Sequence, residues 1–303
     1  MSALRACAPA KVNLCLLLGH PRPDGLHELV SVLWSVSLAD ELELAPAPPG
    51  APVDELECAG VEGRNLAGDA LEAFRRATGW AAPPQRLTIV KRIPVAAGMG
   101  GGSADAAATL RLAARAADGD AAAVLARLAP LLGADVPSQL EPGAVLVTGA
   151  GERVRRLPPP PPHGLLVAVL PEQLATSAVF AQADRMGLPR GPGEVAERLA
   201  ELETVLDQEG RLPPELMVND LEPAARSLCP AIDPALEAVR AHGAAATLVT
   251  GSGPTVIGVY PGADGPRRAR EAAQRLRGRF PLACAASAVD AGFGAPRPVG
   301  LSA

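Results

Sequence analysis

A chain of 303 residues with 48% apolar side chains has ample material for a buried core and room for two domains of ordinary size. Its net charge of −5, from 28 Lys and Arg against 33 Asp and Glu, comes without a basic block, which argues against a nucleic-acid or membrane-surface binder. Five cysteines (Cys7, Cys15, Cys58, Cys229, Cys284) form no C-x-x-C pair; this is the pattern of reduced thiols in a cytoplasm, without a zinc site or disulfide framework.

The first apolar run, VNLCLLLG, is short, is interrupted by Asn13 and is followed by the polar HPRPDGLHE where a signal peptide would carry small residues. It reads as a strand over 11–19 and not as a leader. No stretch approaches the roughly 20 apolar residues of a membrane span. Residues 31–46 read as a second strand that passes into alternation at ELELAP. In 65–79, Leu66, Ala70, Leu71 and Phe74 share one helical face, with Asn65 placed as N-cap and Gly79 as C-cap. RLTIVKRIP is a strand halted at Pro94. A helix follows from near Ser103 to Gly119, a second over 120–133, and then the strand GAVLVTG.

Five consecutive prolines in RRLPPPPPHG (155–164) fit neither a helix nor a central strand and favour an extended spacer. The expected division is an N-terminal domain over 1–157, a linker over 158–163 and a C-terminal domain over 164–298. The second half offers the strand LLVAVL and helices near 176–186, 194–208, 219–227 and 233–242. A Gly-turned hairpin in ATLVTGSGPTVIGVY, a helix over 266–278 and the strand LACAASAV complete it. Strands mixed with helices in both halves indicate an α+β or α/β chain without internal repeats.

The segment PVAAGMGGGSADAAATL (94–110) sets the most flexible stretch directly against a strong helix former. Glycine is costly in entropy and is favoured where backbone must turn sharply or approach closely. A Gly-rich loop entering a helix N-terminus presents unpaired N–H groups and the positive dipole end, which together suit a phosphate. It is not a Walker A loop, since no Gly-Lys-Ser/Thr follows at the required spacing. Nor is it a dinucleotide fingerprint, because Ser103 takes the third Gly position.

The pattern Pro-x-x-x-Gly-x-Gly-Gly-Gly-Ser-x-x-Ala-Ala resembles the ATP-binding motif of the GHMP kinases. PAKVNL (9–14) resembles that family's first motif and TLVTGSGPTVIGVY its third. RPDGLHEL, RNL, LLGADVPSQL and VNDLEPAARSLCPAI look like the branch acting on 4-diphosphocytidyl-2-C-methyl-D-erythritol in the non-mevalonate isoprenoid pathway. The resemblance spans about residues 8 to 260. It implies a two-domain α+β fold, an N-terminal domain like ribosomal protein S5 domain 2 and a ferredoxin-like C-terminal domain, with the site between them. It implies ATP-dependent phosphorylation of the substrate's 2-hydroxyl by direct transfer, with Mg²⁺ accompanying ATP and no protein metal ligand assigned. The enzyme would be cytoplasmic, monomeric or homodimeric, and would act on a small molecule without nucleic-acid or membrane partners.

Residue by residue, the resemblance makes Asp135 the general base and Lys11 its neighbour at the acceptor hydroxyl. It places Asn65 near the adenosine and Lys91 and Pro94 ahead of the phosphates. Ala96, Ala97, Gly98, Met99, Gly100, Gly101 and Gly102 then form the loop around them, with Ser103 and Ala104 at the helix start. On the acceptor side it implies Asn13, Leu26, His27, Thr176 and Phe180, with Gly251, Ser252 and Gly253 in the third motif; Asp135 contacts the acceptor too. His27 would read the cytosine edge and Phe180 stack on the ring, while Asp105 would complement the helix N-terminus. There are two departures from the branch: Leu26 replaces its usual Tyr, and Ser138 and Gln139 stand where aromatics are usual. Rivals at this level are another GHMP kinase, such as homoserine kinase, and a non-catalytic nucleotide-binding relative.

Overall fold

Two long strands carry the N-terminal half, and their length lets each serve more than one core. The computed structural model describes residues 2–119 and 121–300; Asp120, where the second expected helix opens, lies outside them. β1 (Leu4–Pro21) and β2 (His27–Pro46) pair antiparallel, with β3 (Glu55–Cys58) and β4 (Gln85–Val90) beyond one end of β2. β5 (Ala144–Gly149) and β6 (Arg153–Arg156) continue the sheet from the other end of β2. Helices α1 (Leu66–Thr78), α2 (Gly101–Ala117) and α3 (Ala122–Leu132) cover one face, closing a core of Leu4, Ala6, Leu42, Leu44, Phe74, Leu87 and Leu110. The short α4 (Val136–Gln139) leads into β5.

The second half gives β7 (His163–Val169), α5 (Thr176–Arg185), α6 (Pro192–Glu209), α7 (Glu222–Leu228), α8 (Ile232–Ala241), β8 (Ala246–Val249), β9 (Val256–Pro261), α9 (Gly265–Leu276) and β10 (Leu282–Ala286). Its antiparallel sheet has the order β10-β7-β9-β8, the ferredoxin-like arrangement. β7 is buried on both faces. Leu165, Val167 and Val169 join the core shared with Val12, Leu14, Val32 and Trp34, and Leu166, Ala168 and Leu170 pack under α5, α7, α8 and α9. One apolar core therefore spans both sheets, and it holds the two halves against each other across the site.

Several boundaries differ from the expectation for identifiable reasons. β4 stops at Val90 instead of continuing to Pro94, because the buried Asp40 carboxylate captures the N–H groups of Arg92 and Ile93 at 2.5 and 2.8 Å. The expected helix from 219 starts at Glu222, because the Asn219 side chain accepts from Leu221 N–H at 2.9 Å. Past β10 the chain leaves the second sheet and returns to the first. Val289 N–H donates to Ser35 O at 2.9 Å, and β11 (Arg297–Pro298) pairs with β1. β7 likewise begins inside the expected linker, at His163, whose ring lies 4.3 Å from that of Trp34.

Candidate active site

Alternation along β1 sends Ala10, Val12 and Leu14 into the core and turns Lys11 and Asn13 to the opposite face, into a cleft of about 520 Å³. Lys11 is only 6% exposed, and a cation so deep is costly unless partnered. Its Nζ donates to Asn13 Oδ1 at 2.8 Å and stands 3.6 Å from Asp135 Oδ2. Asn13 is fixed in turn: its amide donates to Ser31 Oγ at 2.9 Å, and its backbone N–H donates to Thr250 Oγ1 at 2.9 Å. Asp135 takes the N-cap position of α4 but makes no side-chain capping bond, and its side chain remains 39% exposed. Its carboxylate therefore faces Lys11 and the cleft.

The Gly-rich loop passes directly over this pair. Lys11 N–H donates to Met99 O at 3.0 Å, tying loop to strand. Gly98 and Gly100 are left-handed, at φ +73° and +66°, and a Cβ on Gly98 would come within 2.6 Å of Thr250 O. From the other side, a Cβ on Gly251 would meet Gly98 O at 2.6 Å and Lys11 Nζ at 3.1 Å. Backbone thus meets backbone where the two Gly-rich segments close over the ammonium, and no side chain would fit. Ala96 is also left-handed, at φ 55°, a conformation costing a non-glycine residue about 1 kcal/mol. The helical ladder of α2 begins with Ala104 N–H on Gly100 O, so the N–H groups of Gly101, Gly102 and Ser103 precede it at the cleft wall. Such a cradle of N–H groups is suited to an anion.

A buried ion cluster backs the cradle. Lys91 Nζ lies 2.5 Å from Asp40 Oδ2 and 2.7 Å from Asp105 Oδ2, both carboxylates almost wholly buried. Asp105 sits in the second turn of α2 and pairs with Lys91, which corrects the expectation that it complements the helix terminus. Burial pushes its carboxyl up to about 7; Lys91 opposes the rise and Asp40 adds to it. Burial also opposes the charge on Lys91, but Asp105 and Asp40 outweigh it and raise the ammonium's pKa.

Another wall of the cleft is carried by one face of α5, on which Thr176, Phe180 and Asp184 recur at i, i+4 and i+8. Thr176 Oγ1 lies 3.1 Å from Ser252 Oγ, the Phe180 ring centroid lies 5.1 Å from that of His27, and Asp184 Oδ1 lies 2.8 Å from His27 Nε2. Of the expected residues, Lys11, Asn13, Asn65, Lys91, Pro94, Ala96 to Ser103, Asp135, Thr176, Phe180, Gly251 and Ser252 line the cleft. Four do not. Ala104 is buried in the helix-covered core with its N–H spent on Gly100 O. Gly253 turns behind the motif, its N–H on Thr250 O. Leu26 is 52% exposed at the β1–β2 hairpin, and His27 does not itself line the cleft but stands beside the Phe180 ring that does. Ser138 and Gln139 are buried too, so the missing aromatics there leave the wall unchanged.

Sequence reasoning passed over Asp40, Asp184, Thr250 and Asn219. Asn219 donates both amide hydrogens, to Val249 O and Gly251 O at 2.8 Å each, and thereby sets the third Gly-rich turn. It lies inside the quoted VNDLEP segment, and Asp184 lies one helical repeat beyond Phe180; these were the available signals.

The N-terminal domain model of the GHMP kinases matches residues 65–143, and their C-terminal model matches residues 196–282. A 4-diphosphocytidyl-2-C-methyl-D-erythritol kinase of Anaeromyxobacter dehalogenans is 40% identical over 280 residues, covering 90% of this chain and 84% of its own. One from Streptomyces coelicolor is 41% identical over 256 residues, 82% of this chain and 84% of its own. The crystal structure of a 4-(cytidine 5'-diphospho)-2C-methyl-D-erythritol kinase superimposes with a TM-score of 0.72 at 35% identity, covering 93% of this chain and 98% of the other.

Proposed function

The chain belongs to the GHMP kinases, in the branch of the 4-diphosphocytidyl-2-C-methyl-D-erythritol kinases, and on that premise we propose how its cleft performs their ATP-dependent reaction. The observation that carries the reading is the Lys11–Asp135 pair, 3.6 Å apart, beneath the open N-terminus of α2. The substrate's 2-hydroxyl enters beside Asp135, whose carboxylate accepts the proton as the oxygen attacks the γ-phosphorus in line and the bond from that phosphorus to the bridging oxygen breaks, releasing ADP. Lys11, pinned by Asn13, offsets the charge that gathers between acceptor and phosphate. The loop N–H groups and the α2 dipole hold the phosphoryl oxygens, and they are set before reaction by the contact with the Gly251 turn. Asn65 caps α1 at the cleft wall and bounds the adenosine side, with Arg64 and Leu66 beside it.

Among the described residues no three His, Cys, Asp or Glu side chains group to hold a metal. Mg²⁺ would accompany ATP and offset the charge of its phosphates. On the acceptor side, Phe180 stacks on the cytosine and His27, oriented by Asp184, reads its edge; Asn13, Thr176, Gly251 and Ser252 line the path between. No helix among the described residues is long and apolar enough to cross a membrane. The chain's biosynthetic small-molecule reaction suits a cytoplasmic enzyme, a monomer or homodimer. The test is ATP-dependent turnover measured side by side on the cytidylyl substrate, homoserine and mevalonate. Turnover confined to the first is expected, and comparable rates on either of the others would overturn the substrate assignment.

A further inference from the structure

The two carboxylates that hold Lys91 are not equivalent. Asp40 is fully satisfied: Oδ2 takes Lys91, and Oδ1 takes the N–H groups of Arg92 and Ile93. Asp105 receives Lys91 on Oδ2 alone, while its Oδ1 is buried without a hydrogen-bond partner. If one of the two must give up its charge, Asp105 loses fewer bonds. The ammonium has a third donor to offer. It also stands at the cradle, with Nζ 3.4 Å from where a Cβ on Gly101 would lie, beside the first turn of α2.

We propose that an incoming triphosphate draws the Lys91 ammonium away from Asp105 and that Asp105 then takes up a proton from solvent, so that ATP binding is linked to protonation. Asp105 is thus a positioning residue that keeps Lys91 at the loop of the empty enzyme. The inference rests on reading the loop as an ATP phosphate cradle. The groups facing Asp105 are Asp40 from β2, Lys91 from beyond β4 and the Cys58 thiol from β3; Lys11, from β1, turns to Asn13 and Asp135. Lys91 is the cation among the three, so its departure removes the influence that holds the Asp105 proton off. With that carboxyl already up at about 7, the change falls in an accessible pH range. The sign follows: a complex that binds the proton more tightly than the free enzyme loses ATP affinity as pH rises.

Calorimetry of Mg-ATP binding to the full chain, in buffers of different ionisation enthalpy near pH 8, counts the protons taken up. The wild type is expected to gain a large fraction of one proton, and its affinity to fall by up to about tenfold per unit between roughly pH 7 and 9. Asp105→Asn keeps Lys91 tethered to Asp40, and both effects should vanish. A static ion pair would give the same proton count in the two proteins, and that result overturns the inference. So does a flat wild-type affinity over that range, which decides the matter even if the variant fails to fold. ATP binding without proton uptake sinks this inference alone, whereas no ATP binding at all removes the cradle reading as well.

Discussion

The proposed phosphate side and the proposed base side of the cleft are built on different principles. Over Lys11, backbone closes on backbone: Gly98 against Thr250 and Gly253, Gly251 against Gly98, with Asn219 and Asn13 locking the turn and the strand from behind. On the base side, contacts run between side chains of a surface helix and a hairpin, with Asp184 42% exposed on its side chain and Leu26 open to solvent. Backbone geometry tolerates few residue types, while an exposed side-chain contact can drift. The departure from the branch pattern at Leu26 falls on the side where the structure has slack.

Breaking the phosphate side should therefore cost most. Asp135→Asn keeps shape and removes the proton acceptor; turnover is expected to fall by about two to four orders of magnitude with ATP affinity nearly unchanged. A wild-type rate would end its assignment as base. Lys11→Ala should also slow turnover strongly. Next comes Gly98→Val, which adds a branched side chain at φ +73° and within 2.6 Å of Thr250 O. Strain of about 1–3 kcal/mol, with displacement of the facing turn, should weaken ATP binding by roughly fivefold to 150-fold while far-UV circular dichroism stays native. Calorimetry reads this directly, and unchanged affinity would mean that the loop does not close on phosphate. Gly101 is the poorer site to test, because it begins the helix and is not left-handed.

The same contrast governs what the sequence revealed. The Gly-rich loop was legible because its function demands glycine at particular places, and α1 was legible because Asn65 and Gly79 cap it at both ends. β3 and β6 were not: each has four residues, ELEC and RVRR, too short and too charged to stand out from a loop. Their strand character comes from pairing with β4 and β5. The Asp40–Lys91–Asp105 cluster joins positions far apart in sequence, so no local pattern announces it. The alternation that turns Lys11 and Asn13 to the cleft was present in PAKVNL, but which face looked inward depended on the second sheet.

Phe180→Ala probes the base side where it is firmest. A stacked base is worth roughly 1–3 kcal/mol, so KM for the cytidylyl substrate should rise by about fivefold to 150-fold with kcat less affected. His27→Ala should lower the preference for the cytidylyl over the uridylyl substrate, because a hydrogen-bonding edge discriminates where stacking does not. Equal kcat/KM for the two substrates in the wild type would count against base reading by His27. The KM change is expected to stay below the loss from Asp135→Asn, and a reversal of that order would undo the contrast between the two sides.

The smallest effect is expected at Leu26. Its side chain is half exposed at a hairpin turn in which Arg22 N–H donates to Leu26 O at 2.6 Å and Leu26 N–H donates to Asp24 Oδ1 at 3.0 Å, and it does not line the cleft. A tyrosine placed there reaches the base only if the hairpin tip folds toward Phe180, which would disturb the ion pairs of Arg22 with Asp24 and Glu152 at 2.8 and 3.0 Å. Exposed pairs of this kind are worth about 0–1 kcal/mol, so they oppose the movement only weakly. The added stacking is offset by the cost of ordering the tip. Leu26→Tyr should therefore lower KM for the cytidylyl substrate by no more than roughly tenfold, equivalent to about 1.4 kcal/mol, and leave kcat unchanged. Steady-state kinetics on the two proteins decides it. A larger gain would show that the hairpin closes over the base, making the base side as constrained as the phosphate side.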